Sequence, residues 1–215
     1  MKPNAIKIDD QPIAATFFGE GKWLTDFVTP HALEVEELHQ DLTEGVTGLE
    51  ERLAALHRWV GDEVRYVQFV QAKIWVGGKS STQSDYWQNP SMVARTRVGN
   101  CSNKAFLLAS LLRNSLPPEQ VHVVLGNLHQ PPGPGGHAWV QCTLNGEDYI
   151  MESTRGDMKP MVVARVADIY EDVVHFNDKE VSAIEERTLL TPFARVFASW
   201  LKDYLDWKYI EGRKH

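Results

Sequence analysis

The chain has 215 residues, enough for one sizeable core, and its 43% hydrophobic and 24% charged residues are an ordinary globular composition. Its formal net charge of -7 argues against nucleic acid or an anionic membrane as the main partner. The 2 cysteines lie far apart and form neither a disulfide framework nor a four-cysteine zinc site.

The N-terminal sequence carries no apolar segment of the kind found in secretory signals. No apolar run approaches the length of a membrane span either. We therefore expect a cytoplasmic protein without a membrane partner.

Two helices are predicted early in the chain. The first begins at Thr29, an N-cap residue followed by proline, and ends before Gly45. The second follows the capping-box pattern formed by Thr47 and Glu50, and ends at Gly61. Apolar residues recur along both helices at helical spacing, namely Leu33, Leu38, Leu42, Leu49, Leu53, Leu56 and Val60.

The segment that follows is expected to form a strand and then a loop. Residues 64–70 are β-branched and aromatic, which predicts a strand, whereas the polar residues 79–91 predict a loop. Gln71 and Trp87 in this region, together with Trp139 further along, are weak candidates for oxyanion donors or substrate-lining side chains.

A cysteine lies at the start of the most apolar predicted helix. Residues 98–100 are poor helix material, whereas helical periodicity runs from Ser102 and ends before Pro117. Cys101 therefore lies at or just before a helix N-terminus, where unpaired N–H groups and the helix dipole favour a thiolate. The same N–H groups can stabilise an oxyanion on an attacked carbonyl. A buried structural cysteine is the alternative.

A histidine and a carboxylate are predicted on one face of a β-hairpin. The pair Asn145-Gly146 is a strong signal for a two-residue hairpin turn. Counting outward from that turn, Trp139 lies opposite Glu152. His137 and Glu152 then share a face as diagonal neighbours about 7–8 Å apart, which lets the carboxylate orient the imidazole. With Cys101, they are the parts of a cysteine-nucleophile triad.

Two other carboxylates of the region fit the orienting role less well. Asp148 lies on the same face but beside the turn, and is excluded because its partner strand position is roughly 20 Å from His137. Asp157 lies beyond the strand in a glycine-containing loop and remains a weaker substitute. Cys142 lies on the opposite strand face from His137 and is expected in the core.

These segments resemble the transglutaminase-like superfamily. The resemblance rests on residues 99–101 (GNC), 136–140 (GHAWV) and 152–154 (EST), and residues 85–90 (DYWQNP) resemble the lead-in of bacterial transglutaminase-like cysteine proteinases. It implies an α+β fold with a papain/transglutaminase-like core, in which the nucleophile helix packs on an antiparallel β-sheet. It also implies a catalytic triad of the helix-borne cysteine, the strand-borne histidine and an acid. The family usually has aspartate as this acid, whereas this chain has Glu152.

The remaining segments are expected to pack on this core, which spans about 47–157 of a single 1–215 domain. Residues 130–136 (QPPGPGG) precede the histidine and are either a lid or a plain connector. Strand-like runs occur at 161–163 and 173–176. A last helix is predicted from Thr191, and its broad apolar face is either core or a dimer or partner surface.

Three classes of function remain open. The first is a thiol enzyme that acts on an amide or peptide bond of a peptide or protein substrate, without cofactor or nucleic acid. The second is a catalytically inactive member of the fold that binds peptide or carbohydrate. The third is a zinc protein using Cys101, His137 and Glu152, which no close-spaced ligand pair supports. Within the first class, hydrolysis is favoured over acyl transfer to an amine because we expect none of the extra domains of large animal transglutaminases.

Overall fold

The computed structural model describes residues 23–68 and 87–182 with their side chains. It also describes the backbone of short strand segments, namely residues 5–8, 71–76, 79–84 and 183–184. The predicted C-terminal helix and dimer surface lie outside the described residues, as does the side chain of Gln71.

The described helices lie mostly in the first half of the chain. They are α1 (Leu33–Thr43), α2 (Leu49–Glu63), α3 (Pro90–Thr96), α4 (Cys101–Leu112) and the single turn α5 (Val163–Val166). Short 3-10 turns precede α1 at Leu24–Phe27 and follow α4 at Pro118–Gln120.

The strands lie mostly in the second half. They are β1 (Ala5–Ile8), β2 (Arg65–Tyr66), β3 (Gln71–Val76), β4 (Lys79–Ser84), β5 (Val98–Gly99), β6 (Val121–Gln130), β7 (Gly133–Leu144), β8 (Glu147–Met151), β9 (Met161–Val162), β10 (Tyr170–Phe176) and β11 (Val181–Ile184).

The largest sheet of the described residues is antiparallel. Its seven strands follow the order β1-β11-β10-β6-β7-β8-β9, and every neighbouring pair is antiparallel. Separately, β2 pairs with β5 in parallel, and β3 pairs with β4 as a hairpin. Helices segregated beside an antiparallel sheet define the α+β class, as the sequence predicts.

Helix α4 lies at the centre of the core because it is apolar on nearly every side. All of its residues after Cys101 are buried, as the sequence predicts. Phe106 packs between Phe27 and Phe176, with ring centroids 5.0 and 5.9 Å apart. Burying one such side chain contributes about 1.5–3 kcal/mol to the stability of the folded state. The packing of this buried helix therefore fixes the position of Cys101, its first residue.

Helix α4 runs antiparallel to β6. Just beyond its C-terminal end, Arg113 forms an ion pair with Asp178, with Nε and Oδ1 2.7 Å apart. Midway along the helix, Phe106 contacts Phe176, which is a residue of β10 paired with the first part of β6. The N-terminus of α4 therefore lies beside the later part of β6, which pairs with the part of β7 that carries His137.

The hairpin formed by β7 and β8 has the predicted turn and register. Asn145 and Gly146 have positive φ angles of 51° and 80°, as a type I′ turn requires. Val140 pairs with Met151, and continuing by one residue brings position 139 opposite Glu152. The predicted register is therefore confirmed. Its physical reason is that an Asn-Gly turn fixes the pairing of both strands.

The boundaries of the first two helices differ from the prediction. Helix α1 begins at Leu33, which is 66% exposed, and Val35 is the fully buried residue. Helix α2 begins after Gly48 without a side-chain cap, so the capping box at Thr47 is wrong. The helix also continues through Gly61, because a single glycine costs only about 1 kcal/mol in a helix.

The central segment differs more strongly. Of the strand predicted over 64–70, the structure describes residues 64–68, and within these only Arg65–Tyr66 form a strand. Residues 79–84, predicted as a loop, form β4. The sequence KSSTQS has no apolar alternation, so only its pairing with β3 reveals the strand. Residues 130–136 are also mostly strand, since Gln130 pairs with Gly133 across a tight connection.

Candidate active site

Cys101 is the first residue of α4, and the turn before it is held by side chains. The side chain of Asn100 is the N-cap and accepts a hydrogen bond from the backbone N–H of Asn103 over 3.1 Å. The Asn103 side chain in turn accepts from the backbone N–H of Gln88 over 2.7 Å. The helix start therefore has a fixed backbone geometry, and Cys101 is partly buried there.

His137 lies between Cys101 and Glu152. Its Nε2 is 2.9 Å from Oε2 of Glu152, and the Cys101 side chain is close enough to the same imidazole to affect its pKa. Burial disfavours the charged imidazole, but the hydrogen bonds to Cys101 and Glu152 outweigh it and raise the pKa of His137 to about 10. Of the three residues that the sequence selected, His137 and Glu152 are hydrogen-bonded, and the Cys101 side chain affects the same imidazole.

Glu152 is a buried carboxylate with four hydrogen-bond donors. Oε2 accepts from His137 and from the hydroxyl of Tyr170 at 3.1 Å. Oε1 accepts from the backbone N–H of Thr154 at 3.0 Å and from its hydroxyl at 2.6 Å. Burial raises the pKa of Glu152, but the His137 and Thr154 hydrogen bonds prevail and bring it to about 2. The longer side chain of glutamate is therefore fixed in one orientation.

Aromatic rings cover the imidazole. The Trp139 ring stacks on the His137 ring at 6.0 Å and 30°, and Tyr170 meets Trp139 edge-on at 5.2 Å. Gly126 makes room for this layer, since a Cβ there would lie 2.6 Å from Cη2 of Trp139 and 2.1 Å from the carbonyl oxygen of Glu171. A glycine in this strand is explained by that close approach.

Helix α2 contacts both Glu152 and the helix that carries Cys101. Nε2 of His57 lies 2.8 Å from the carbonyl oxygen of Glu152, and burial lowers the pKa of this histidine. Lys104, one turn after the cysteine, is 1% exposed and donates to the carbonyl oxygens of Gly61 at 3.0 Å and Val64 at 2.7 Å. Burial lowers the pKa of Lys104 to about 8.

Two of the remaining candidates from the sequence, Trp87 and Asp157, have other partners than the three candidate catalytic residues. Trp87 is 7% exposed and packs edge-on against Phe27 and Phe106 in the core. Asp157, the weaker alternative acid, pairs with Arg155. Trp139 stays close to the site, as the ring on His137.

Cys142 is fully buried in the core, as predicted, and burial raises the pKa of its thiol to about 12. Among the described residues, no cluster of three or more histidine, cysteine or acidic side chains is arranged to hold a metal ion.

Sequence reasoning missed several residues that build the site. Tyr170 and His57 come from separate elements, and no local pattern connects them to the cysteine or the histidine. Lys104 lies one turn after Cys101 in α4, but its two carbonyl acceptors are about 40 residues earlier in the chain. Thr154 was visible only as part of the family-like motif at residues 152–154, and its two bonds to the carboxylate could have been inferred from the i, i+2 spacing.

Comparison with known proteins gives one family match and several structures of similar fold. The model of the family described as Transglutaminase-like superfamily matches residues 36–151, which is more than half of the chain. Legionella pneumophila LapG is similar in structure, with a TM-score of 0.51 and 15% identity, over 74% of this chain and 89% of that chain. For EGTA-treated LapG the TM-score is 0.50 and the identity 16%, over 76% and 89%.

A candidate cysteine protease from Cytophaga hutchinsonii has a TM-score of 0.49 and 18% identity, over 70% of this chain and 44% of that chain. A comparison with curated protein sequences gives no match. At these identities, the likeness to LapG shows the fold.

None of the described helices is long and apolar enough to cross a membrane.

Proposed function

The chain belongs to the transglutaminase-like superfamily, and on this basis we propose that it is a thiol-dependent hydrolase of amide or peptide bonds. Cys101 is the nucleophile, His137 the general acid and base, and Glu152 the residue that orients the imidazole. The observation that carries the proposal is a half-buried imidazole that lies 2.9 Å from a buried carboxylate and whose pKa is raised by both Cys101 and that carboxylate.

The first chemical step is attack of the Cys101 sulfur on the substrate carbonyl carbon. With a pKa of about 10, His137 holds a proton at neutral pH, so it can keep the thiol proton while the sulfur attacks. The tetrahedral oxyanion then lies at the N-terminus of α4, where backbone N–H groups and the helix dipole stabilise negative charge. His137 gives its proton to the leaving amine, and the C–N bond breaks to leave a thioester on Cys101.

The second step returns the enzyme to its first state. His137, now neutral, removes a proton from water, and the hydroxide oxygen attacks the thioester carbon. The C–S bond breaks, the carboxylic acid leaves, and the proton stays on the imidazole beside the thiolate. An amine in place of water would give a new amide by the same steps, so protein-glutamine acyl transfer is the alternative outcome.

Three properties of Glu152 favour a working site over an inactive relic. The carboxylate is 4% exposed, it has four donors, and its pKa of about 2 keeps it ionised beside the imidazole. A negative charge at this position stabilises the imidazolium and fixes the tautomer that presents the other ring nitrogen to the thiol. Perturbed pKa values of this kind cluster at catalytic sites, which supports hydrolysis over binding alone.

The test is to incubate the protein with pooled peptide, isopeptide and glutamine-plus-amine substrates, and to follow the products by mass spectrometry. Cys101→Ala removes the nucleophile, and Cys142→Ala is the matched control that removes the buried thiol. We expect free acid from the unaltered protein and from Cys142→Ala, and none from Cys101→Ala. Amine adducts would assign acyl transfer instead. Binding without any product would replace the proposal by the binding-module alternative.

A further inference from the structure

A second carboxylate lies beside the candidate active site. Glu171 is directly opposite Asn127 in the pairing of β10 with β6, and Asn127 is directly opposite Gly136 in β7. With strands about 4.8 Å apart and a rise of about 3.4 Å, the Cα of Glu171 lies about 10 Å from that of His137. The residue before it, Tyr170, lies on the opposite face of the sheet, where it donates to Glu152.

Glu171 is on the face of the sheet that carries the cysteine. Along β6, Val123 and Leu125 belong to the core cluster packed with α4, and Asn127 continues the same alternation. Cys101 packs against that same cluster, and α4 begins at this end of β6 because it runs antiparallel to the strand. The Glu171 side chain, opposite Asn127, therefore extends the face just beyond the cysteine.

Two neighbours fix the carboxylate through one oxygen. Oε2 accepts from Nδ2 of Asn127 at 3.1 Å and is 2.9 Å from Nε2 of His129. Asn127 is 1% exposed, which makes it a rigid anchor. Within the described part of the chain, Oε1 has no hydrogen-bond partner, and the Glu171 side chain is 21% exposed. A held, partly desolvated carboxylate with one oxygen left over can bind a cation without ordering itself first.

The surroundings suit a long aliphatic cation. His129, which contacts Glu171, also lines a shallow recess at the tip of the β6–β7 hairpin together with residues 130–134, three of which are proline. Proline rings offer an apolar wall for methylene groups, whereas the carboxylate beside them offers a charge. This is the combination that a lysine side chain requires, because its stem packs on apolar surface while its head stays charged.

From this geometry we propose that Glu171 determines specificity by selecting substrates with a lysine-like cationic side chain next to the carbonyl attacked by Cys101. The inference rests on the proposed function and names the substrate class of that site. The competing explanation is that Glu171 only ties the hairpin to β10 through Asn127 and His129. Glu171→Gln separates the two, since glutamine keeps the acceptor oxygen for Asn127 and loses the charge.

The experiment uses three acyloxymethyl-ketone peptides that differ only in the residue carrying the ketone: lysine, norleucine or glutamate. The rate of covalent labelling at Cys101 is followed by mass spectrometry of the full chain. In the unaltered protein, we expect the lysine probe to react about 10–100-fold faster than the norleucine probe, as a charged hydrogen bond implies. In Glu171→Gln this preference falls to about 1, while the norleucine rate changes less than about twofold.

Glu119→Gln is the matched control, because Glu119 is an exposed glutamate near the opposite end of β6 and should leave the preference intact. Glu171→Lys should reverse the preference in favour of the glutamate probe. Equal rates for lysine and norleucine in the unaltered protein, or an unchanged ratio in Glu171→Gln, would overturn this inference while leaving the nucleophile in place. If no probe labels Cys101, the proposed function fails, and the specificity assignment fails with it.

Discussion

Nε2 of His57 lies 2.8 Å from the main-chain carbonyl oxygen of Glu152, and the two residues are 95 positions apart in the chain. This bond connects α2 to the end of β8, at the point where the chain leaves the sheet. A few residues on, Gly61 and Gly156 are so close that a Cβ on Gly61 would lie 2.0 Å from the Gly156 nitrogen. Helix α2 therefore sets the position of the carboxylate that orients His137.

We predict that His57→Leu lowers activity more than its effect on folding explains. The change removes the His57 donor from the carbonyl oxygen of Glu152, which keeps only the longer bond from the backbone N–H of Arg155 at 3.3 Å. Losing the shorter bond costs about 1 kcal/mol of unfolding free energy. It also lets the carboxylate shift away from His137, so kcat should fall about 10-fold or more while KM changes little. His57→Gln, which retains a donor, should recover part of the rate. Loss of stability with an unchanged kcat would show that His57 does not position Glu152.

Glu152→Gln should keep the fold and slow the acylation step by about 10²–10⁴-fold. Glutamine is isosteric but has no charge to stabilise the imidazolium of His137. It also has an NH2 group in place of one carboxylate oxygen, and that group cannot accept a hydrogen bond. Burst kinetics with an ester substrate measures acylation directly. Thr154→Val is a milder companion, because it removes one of the two Thr154 donors to the carboxylate and should slow acylation by less than Glu152→Gln. A Glu152→Gln enzyme of normal rate would contradict the orienting role.

The site could be predicted from the sequence where local rules applied. An Asn-Gly turn fixes register, and register places His137 diagonal to Glu152, as the structure has it. An apolar run preceded by poor helix formers places Cys101 at a helix start. In contrast, β4 has no apolar alternation, and its partner strand alone determines it. Tertiary contacts such as those of His57 and Tyr170 have no local signal at all.

The pH dependence of stability should reveal the His137–Glu152 pair. Folding lowers the pKa of Glu152 from 4.5 to about 2, so its stabilisation is complete above pH 4.5 and is lost as pH falls towards 2. Folding raises the pKa of His137 from 6.5 to about 10, so its stabilisation is complete below pH 6.5 and is lost as pH rises through 10. The interaction between His137 and Glu152 contributes to both shifts, and it is strongest between pH 4.5 and 6.5.

Urea unfolding of the unaltered protein and of His137→Gln, between pH 2 and pH 10, measures how much the His137–Glu152 pair contributes to the unfolding free energy. We expect the difference in unfolding free energy to be about 1.5–3 kcal/mol between pH 4.5 and 6.5, and to shrink towards both pH 2 and pH 10. Glu119→Gln serves as the exposed control and should give a small difference at every pH. A difference that stays constant from pH 3 to pH 10 would mean that the two groups do not interact as ions.

Lys104→Met should destabilise the contact between α4 and α2. The substitution preserves the length and apolar stem of the side chain but leaves the carbonyl oxygens of Gly61 and Val64 without their donor, at a cost of about 1–3 kcal/mol for each buried group. Because burial lowers the pKa of Lys104 from 10.5 to about 8, the unfolded chain binds more protons between these values. The unaltered protein should therefore gain stability relative to the variant as pH rises from 8 to 10.5, which chemical denaturation at matched pH can check.

The two thiols should differ sharply in reactivity towards a small electrophile such as iodoacetamide. Cys101 is partly exposed at a helix N-terminus beside His137, whereas Cys142 is 0% exposed and burial raises its pKa to about 12. Since the thiolate is the reacting species, Cys101 should be labelled at least about 10²-fold faster at pH 7. Peptide mapping after timed quenching measures both rates in one sample. His137→Gln should slow labelling of Cys101 and leave Cys142 unchanged, because it removes the imidazole beside Cys101. Faster labelling of Cys142, or labelling of Cys101 only in urea, would show that Cys101 is a structural residue.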